Sequence, residues 1–273
     1  MSLALVLAVL VTTLVVVAGI AAPIVVPYDP LEQNVIDRLQ PPVFMPGGSS
    51  AHILGTDHLG RDVLARLVYG ARIALAVGGL AVAVSAILGL VVALVGGYYG
   101  GAADALLMRL VDIQLSMPFM LLALAIVGIY GPSLANIIIV LTITGWVVYA
   151  RVVRAEVLSL RSREFVVACR SLGGSNLRII VRHLLPNVVP SLVILTALEI
   201  GRMMLLESAL SFLGLGIRPP YPSWGSMLAD GRAYVASAWW LATCPGLAVS
   251  ITVLSLNVVA DRLRDALDSS LEV

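Results

Sequence analysis

Residues 161–187 read RSREFVVACRSLGGSNLRIIVRHLLPN, from Arg161 to Asn187. Arg161, Arg163, Arg170, Arg178 and Arg182 stand here against a single acid, Glu164. Gly173 and Gly174 split the stretch into two short helical patterns, because glycine ends a helix where the chain must turn. Pro186 then opens a new apolar run. The stretch reads as a basic helix–turn–helix, and it is the longest polar interruption in the second half of a very apolar chain.

That setting decides the fold class. The protein has 273 residues, 60% hydrophobic and 12% charged, with a mean hydropathy of +1.01. A soluble domain averages about 45–50% apolar and about 25% charged residues. A fold of this size cannot bury such an excess, so most of the chain is expected to face lipid or other membrane helices. The expected class is an all-α membrane protein with about six transmembrane helices. A net charge of +1 gives no footprint for nucleic acid. Every basic residue is arginine, which excludes chemistry that needs lysine, including the phosphate loop GxxxxGK[ST]. Cys169 and Cys244 lie in different kinds of segment, which argues against a structural disulfide or a paired metal site.

Outward from the basic stretch, the spans follow in order. Residues 1–22 hold a first uncharged run; no basic segment precedes it, and it is too long for a cleaved signal peptide. Residues 23–72 are rich in proline and glycine and are expected to be irregular, with an interfacial helix over Val63–Arg72. His52 and His58, near Asp57 and Asp62, match no standard metal-ligand spacing, so loop hydrogen bonding is favoured. Residues 73–273 form the core: spans over Ile73–Val95, Leu106–Ile129 (interrupted by Pro118), Ser133–Ala150, Pro186–Leu213 and Trp239–Ala260, with a short charged helix from Asp261. Gly96, Gly97, Gly100 and Gly101 are expected to make a turn rather than a dimer seam.

Six spans put both ends on one side. Arginines 151 to 182, Arg109, Arg262 and Arg264 mark that side as cytoplasmic by the excess of basic residues found there. Trp224, Trp239 and Trp240 then fall near the outer interface, where indole is favoured. Within the spans, Glu199, Arg202 and Glu207 form the clear ionisable set. A charge at mid-bilayer costs at least about 2.5–3.5 kcal/mol, so these groups must face protein or a wet path. Glu199 and Arg202, three apart, share a face; Glu207 points elsewhere. A buried packing pair and a polar lining of a solute path both fit these residues. No G-x-S-x-G, H-E-x-x-H or Cys/His cluster suggests an enzyme.

Four ordered blocks resemble the inner-membrane permeases of peptide-type ABC importers, the dipeptide/oligopeptide/nickel family, in their second-permease form. The basic stretch follows the spacing of the family's E-A-A-x(3)-G-x(9)-I-x-L-P loop. Val167, Ala168 and Cys169 occupy E-A-A, Gly173 the glycine, His183 the isoleucine, and Leu185 and Pro186 the close. Val167, Cys169 and His183 depart from the pattern, and Glu164 is the nearby candidate for the missing acid. The other blocks are HILGTDHLGRDVLARLVYGARIAL (52–75), ESALSFLGLGIRPPYPSWGSML (207–228) and PGLAVSITVLSLNVVADRLRDALD (245–268). Members usually carry a basic segment before the first span, so Met1 is in question as the true start.

The resemblance implies a type I ABC importer permease fold in a bacterial or archaeal cell membrane. It implies a non-catalytic subunit paired with a homologous permease, two ABC ATPase subunits that bind ATP and Mg, and an extracytoplasmic substrate-binding protein. The coupling loop, 151–185, would engage the ATPase through Glu164, Val167, Ala168, Cys169, Arg170, Gly173, Gly174, Leu185 and Pro186. Glu199, Arg202 and Glu207 would line the path. Outer loops 28–66 and 214–232, with Asp57, Arg61, Asp62 and Trp224, would dock the binding protein. The solute would be a di- or oligopeptide, with nickel chelates and glutathione as alternatives. A proton-coupled carrier built on the three intramembrane charges is the reading from another class, and a scaffold without transport is a third.

Overall fold

A computed structural model describes residues 3–26, 28–217 and 220–268. Among these the chain is helical, and the only β pairing is an isolated bridge between Thr56 and Asp62. Five helices are long and apolar enough to cross a membrane, and one bent helix pair is a sixth candidate.

Helix α1 (Leu3–Ile20) buries only Ala8 and Gly19 and otherwise presents apolar side chains outward. At Gly19 an added Cβ would approach the Arg72 backbone nitrogen to 3.2 Å, so α1 lies close against the next long helix. A single turn, α2 (Ala22–Val25), follows. Helix α3 (Val63–Tyr99) then runs unbroken for 37 residues, about 55 Å. This corrects the expected separation of an interfacial helix from a span. Nothing between Arg66 and Ile73 stops a helix, and Gly70 is there because Trp224 packs on it, 2.7 Å from where a Cβ would stand. Asp62 starts α3 by accepting from the Ala65 nitrogen at 2.6 Å. Gly100 (φ +68°) and Gly101 (φ +57°) turn the chain out of it, as expected of that glycine group.

The expected third span is two helices, α4 (Gly101–Ser116) and α5 (Phe119–Tyr130), bent by 85°. Pro118 cannot continue α4, and the Ser116 hydroxyl bonds back to the Ile113 carbonyl at 2.7 Å, ending the helix. Helix α6 (Leu134–Leu160) extends ten residues beyond the expected end at Ala150. Its extension is held by Arg151–Asp112 (2.7 Å) and Arg154–Asp104 (2.5 Å), and buries Val153 and Val157. The closest seam is between α3 and α6. Gly89 admits the Tyr149 side chain and the Trp146 carbonyl, and Gly97 admits Val157. Small residues permit this approach, which lipid-facing apolar chains alone would not drive.

The basic stretch gives α7 (Glu164–Ser171) and α8 (Asn176–Ile179). Helix α8 passes through a wide turn, Ile180–Leu184, directly into α9 (Leu185–Phe212), making one helical rod over Asn176–Phe212. Helix α10 (Trp224–Gly231) starts with a reciprocal Ser223–Ser226 cap. Helix α11 (Trp240–Asp268) includes the expected charged tail helix without a break.

Candidate functional site

The basic knob is built around Val166, which is fully buried on α7 with Ile179 and Leu184 of the rod and Val153 and Val157 of α6. Gly173, at φ +79°, closes α7; a Cβ there would meet nothing within 4 Å, so the turn tip is open. Gly174 is tight, because a Cβ would stand 2.8 Å from both the carbonyl and the thiol of Cys169. The outer surface of the knob is apolar and basic together. Leu172 is 88% exposed and Leu177 72%. Phe165, Val167 and Val181 are also exposed, among Arg163, Arg170, Arg178 and Arg182. Glu164 and Val167, one turn apart, are both exposed, so the candidate acid stands beside the position where the family carries its own.

Two departures from the family pattern meet each other: Cys169 Sγ lies 3.6 Å from His183 Nε2. Phe165 packs beside the same imidazole. The knob is seated on the end of α3 by three polar contacts. Arg161 donates to the Gly97 carbonyl (2.8 Å), Tyr98 donates to Asn176 Oδ1 (2.8 Å), and Arg170 lies over the Tyr98 ring (5.3 Å). Sequence reasoning missed Tyr98 and Gly97 in this role, since nothing local marks them. At the root of the rod, Pro186 lacks the N–H that an α-turn requires and its ring crowds the preceding turn. The helix widens by one residue to accommodate it: the Leu185 nitrogen donates to Ile180 O, five residues back. Asn187 Nδ2 donates to the His183 carbonyl at 2.6 Å. The knob's second helix is therefore continuous with the span through this widened turn.

Further along α9, Arg202 Nη1 donates to Glu199 Oε2 at 2.9 Å. Glu199 is buried, whereas the Arg202 side chain is 46% exposed. Tyr149 of α6 is fully buried within reach of both charges. Glu207 is different: it is completely buried, accepts from the Ser211 hydroxyl at 2.7 Å and lies by Ser208 and Ser223. This corrects the expectation that Glu207 lines a path with Arg202. It joins the end of α9 far from the knob to the cap of α10.

On the opposite end of the molecule, Asp57, Arg61, Asp62 and Trp224 are all at most 5% exposed. A directly docking role is corrected by that burial; they form an internal clamp instead. Asp57 Oδ2 accepts from Arg61 Nε (2.7 Å) and from Arg66, and Oδ1 accepts from the Leu59 and Arg61 nitrogens. Burial alone would raise the Asp57 carboxyl, but Arg66, Arg61 and the two backbone N–H groups hold it below the ordinary carboxylate value. Asp230 completes the set, 3.5 Å from Arg61 and 3.4 Å from Arg66. Trp224 Nε1 donates to the Leu67 carbonyl (2.8 Å), and Trp240 Nε1 to the Thr56 carbonyl (3.3 Å). Gly60, at φ +74°, lets the loop lie directly on Asn34, whose carbonyl a Cβ would overlap. His52 bonds Asp62 (2.9 Å) and His58 stacks on Tyr234 (5.6 Å). The described residues contain no group of three metal-ligating side chains. In the loops that flank the clamp, Ile36, Phe44 and Tyr221 are exposed.

Comparison with known proteins places these features. Residues 85–273 match the family described as binding-protein-dependent transport system inner membrane component. The chain is 43% identical over 259 residues to the di/tripeptide transport system permease protein DppC of Pseudomonas aeruginosa, covering 95% of this chain and 86% of that protein. It is 42% identical to the dipeptide transport system permease protein DppC of Alkalihalophilus pseudofirmus, over 99% of this chain and 86% of that one. It is 44% identical to the Escherichia coli protein of that name, over 91% and 83%.

Proposed function

The chain belongs to the family of binding-protein-dependent transport system inner membrane components, and on that premise we propose that it is the permease of an ATP-driven importer of di- and tripeptides. The observation that carries the reading is the knob. Its family spacing, open glycine tip and exposed apolar and basic surface form one end of an uninterrupted helical rod through the bilayer. That geometry is suited to being gripped and moved. On this reading ATP and Mg are bound by partner ATPase subunits, and this chain acts as a non-catalytic permease subunit.

The knob and both chain ends lie on the cytoplasmic side, as the arginine bias favours, and the clamp on the outer side. A homologous permease completes the path against the exposed apolar faces of α4 and α5. The binding protein docks over Ile36, Phe44 and Tyr221, on a surface whose shape the buried clamp fixes. Closure of the ATPase on ATP would displace the knob, and the rod would carry the displacement to Arg202 and α10. Alternating access is then a rocking of two rigid permeases.

The test is uptake in proteoliposomes containing both permeases, the ATPases and the binding protein. ATP-dependent dipeptide uptake is expected, and Gly173→Trp is expected to abolish it while the complex still inserts. Uptake that persists without the ATPases would instead support a proton-coupled carrier. Competition by a nickel chelate or glutathione, with no peptide uptake, would reassign the solute.

A further inference from the structure

Arg202 is the one charged side chain of α9 with an open face. It spends one of its five N–H groups on Glu199, at 2.9 Å, and its side chain is 46% exposed. Leu205, three residues on, is exposed on the same side. A guanidinium past the middle of a membrane-spanning helix does not face lipid, so this side of α9 faces water or protein. Glu199 is held inside by the fold. Tyr149 lies behind the pair, fully buried, with its hydroxyl beside Thr196.

We propose that Arg202 is the carboxylate-binding residue of the translocation path. It takes the C-terminal carboxylate of a passing peptide on the N–H groups that Glu199 leaves free. The reading rests on this chain being a peptide permease. Glu199, still paired, offsets part of the guanidinium charge and keeps binding weak, as conduction requires: a site must be favourable enough to enter and easy to leave. Recognition of the main-chain carboxylate accommodates any side chain.

The experiment uses the reconstituted complex with alanyl-alanine and its C-terminal amide, each at saturating binding protein. Arg202→Gln is expected to lower alanyl-alanine uptake about tenfold or more, the loss of one charge-assisted contact, and to leave amide uptake unchanged. Arg202→Lys is expected to recover part of the rate. Equal loss for both substrates, or a loss below about twofold, would overturn the proposal. A second measurement uses Arg202→Cys in a chain carrying Cys169→Ala and Cys244→Ala. A charged, membrane-impermeant thiosulfonate is expected to modify it in at least one nucleotide state. Protection in every state would place this face against the partner permease and refute the assignment. Absence of any ATP-dependent peptide uptake by the unsubstituted complex would fail the peptide reading itself, while the labelling would still report whether the face is wet.

Discussion

Replacing Asp57 with alanine should unlock the clamp that it anchors. Asp57 holds two arginines, Arg61 and Arg66, that are 5% and 4% exposed. Without it their only remaining acid is Asp230, at 3.4–3.5 Å and with a 39% exposed side chain. Removing one partner of a buried pair and leaving the other charge uncompensated costs about 3–5 kcal/mol. The lower figure corresponds to a fall in unfolding midpoint of roughly 6–12 °C for a chain of this size. The assay is thermal unfolding of the purified complex in detergent, repeated in the Arg66→Met background. There the alanine substitution should lose less, because one of the stranded cations is gone. The pH dependence has a definite sign. The carboxyl is held below its ordinary value. Its contribution is therefore complete above the unfolded carboxylate value of about 3.9 and is lost as pH falls through the lower folded value. The gap between wild type and Asp57→Ala should be constant above about pH 5 and close in acid. A midpoint change below about 2 °C at neutral pH, or an equal loss in both backgrounds, would refute the clamp as a source of stability.

Three further outcomes are expected. Gly60→Ala should prevent stable folding, since it adds a Cβ onto the Asn34 carbonyl at φ +74°; Gly173→Ala, at φ +79° but in open space, should lose only about 1–2 kcal/mol. Expression and midpoint measurements on the pair separate overlap from backbone strain. Leu172→Asp, at a residue 88% exposed, should leave the midpoint within about 0.5 kcal/mol of wild type yet reduce co-purification of the ATPases. Trp224→Phe removes the bond to the Leu67 carbonyl and should cost about 1 kcal/mol, read as a lower midpoint with the knob unaffected.

The membrane class, the position of most spans and the glycine-tipped knob were legible in the sequence because each rests on local composition. The glycines at 173 and 174 and the apolar runs speak for themselves. What was not legible depended on partners far away. Helix α6 continues past Ala150 because Arg151 and Arg154 find Asp112 and Asp104, 39 and 50 residues earlier. In isolation the same arginines read as the start of a loop. Asp57 and Arg61 look like surface charges until Asp230, 164 residues after Arg66, closes on Arg61 and Arg66, and Asp62 until His52 and the Ala65 nitrogen take it. The continuity of α3 through Val63–Arg72 was hidden by its arginines, one of which is buried against that same distant acid. Spacing alone sets Glu207 on a different face from Arg202, but only the serines around it show that it is sealed inside the fold.

The rod over Asn176–Phe212 has a thermodynamic consequence. Its two ends are the knob and, through Glu207 and the α10 cap, the clamp. One continuous helix of 37 residues joins them. On the proposed function, coupling between the two ends is reciprocal: whatever factor nucleotide closure at the knob applies to docking at the clamp, docking applies to nucleotide affinity.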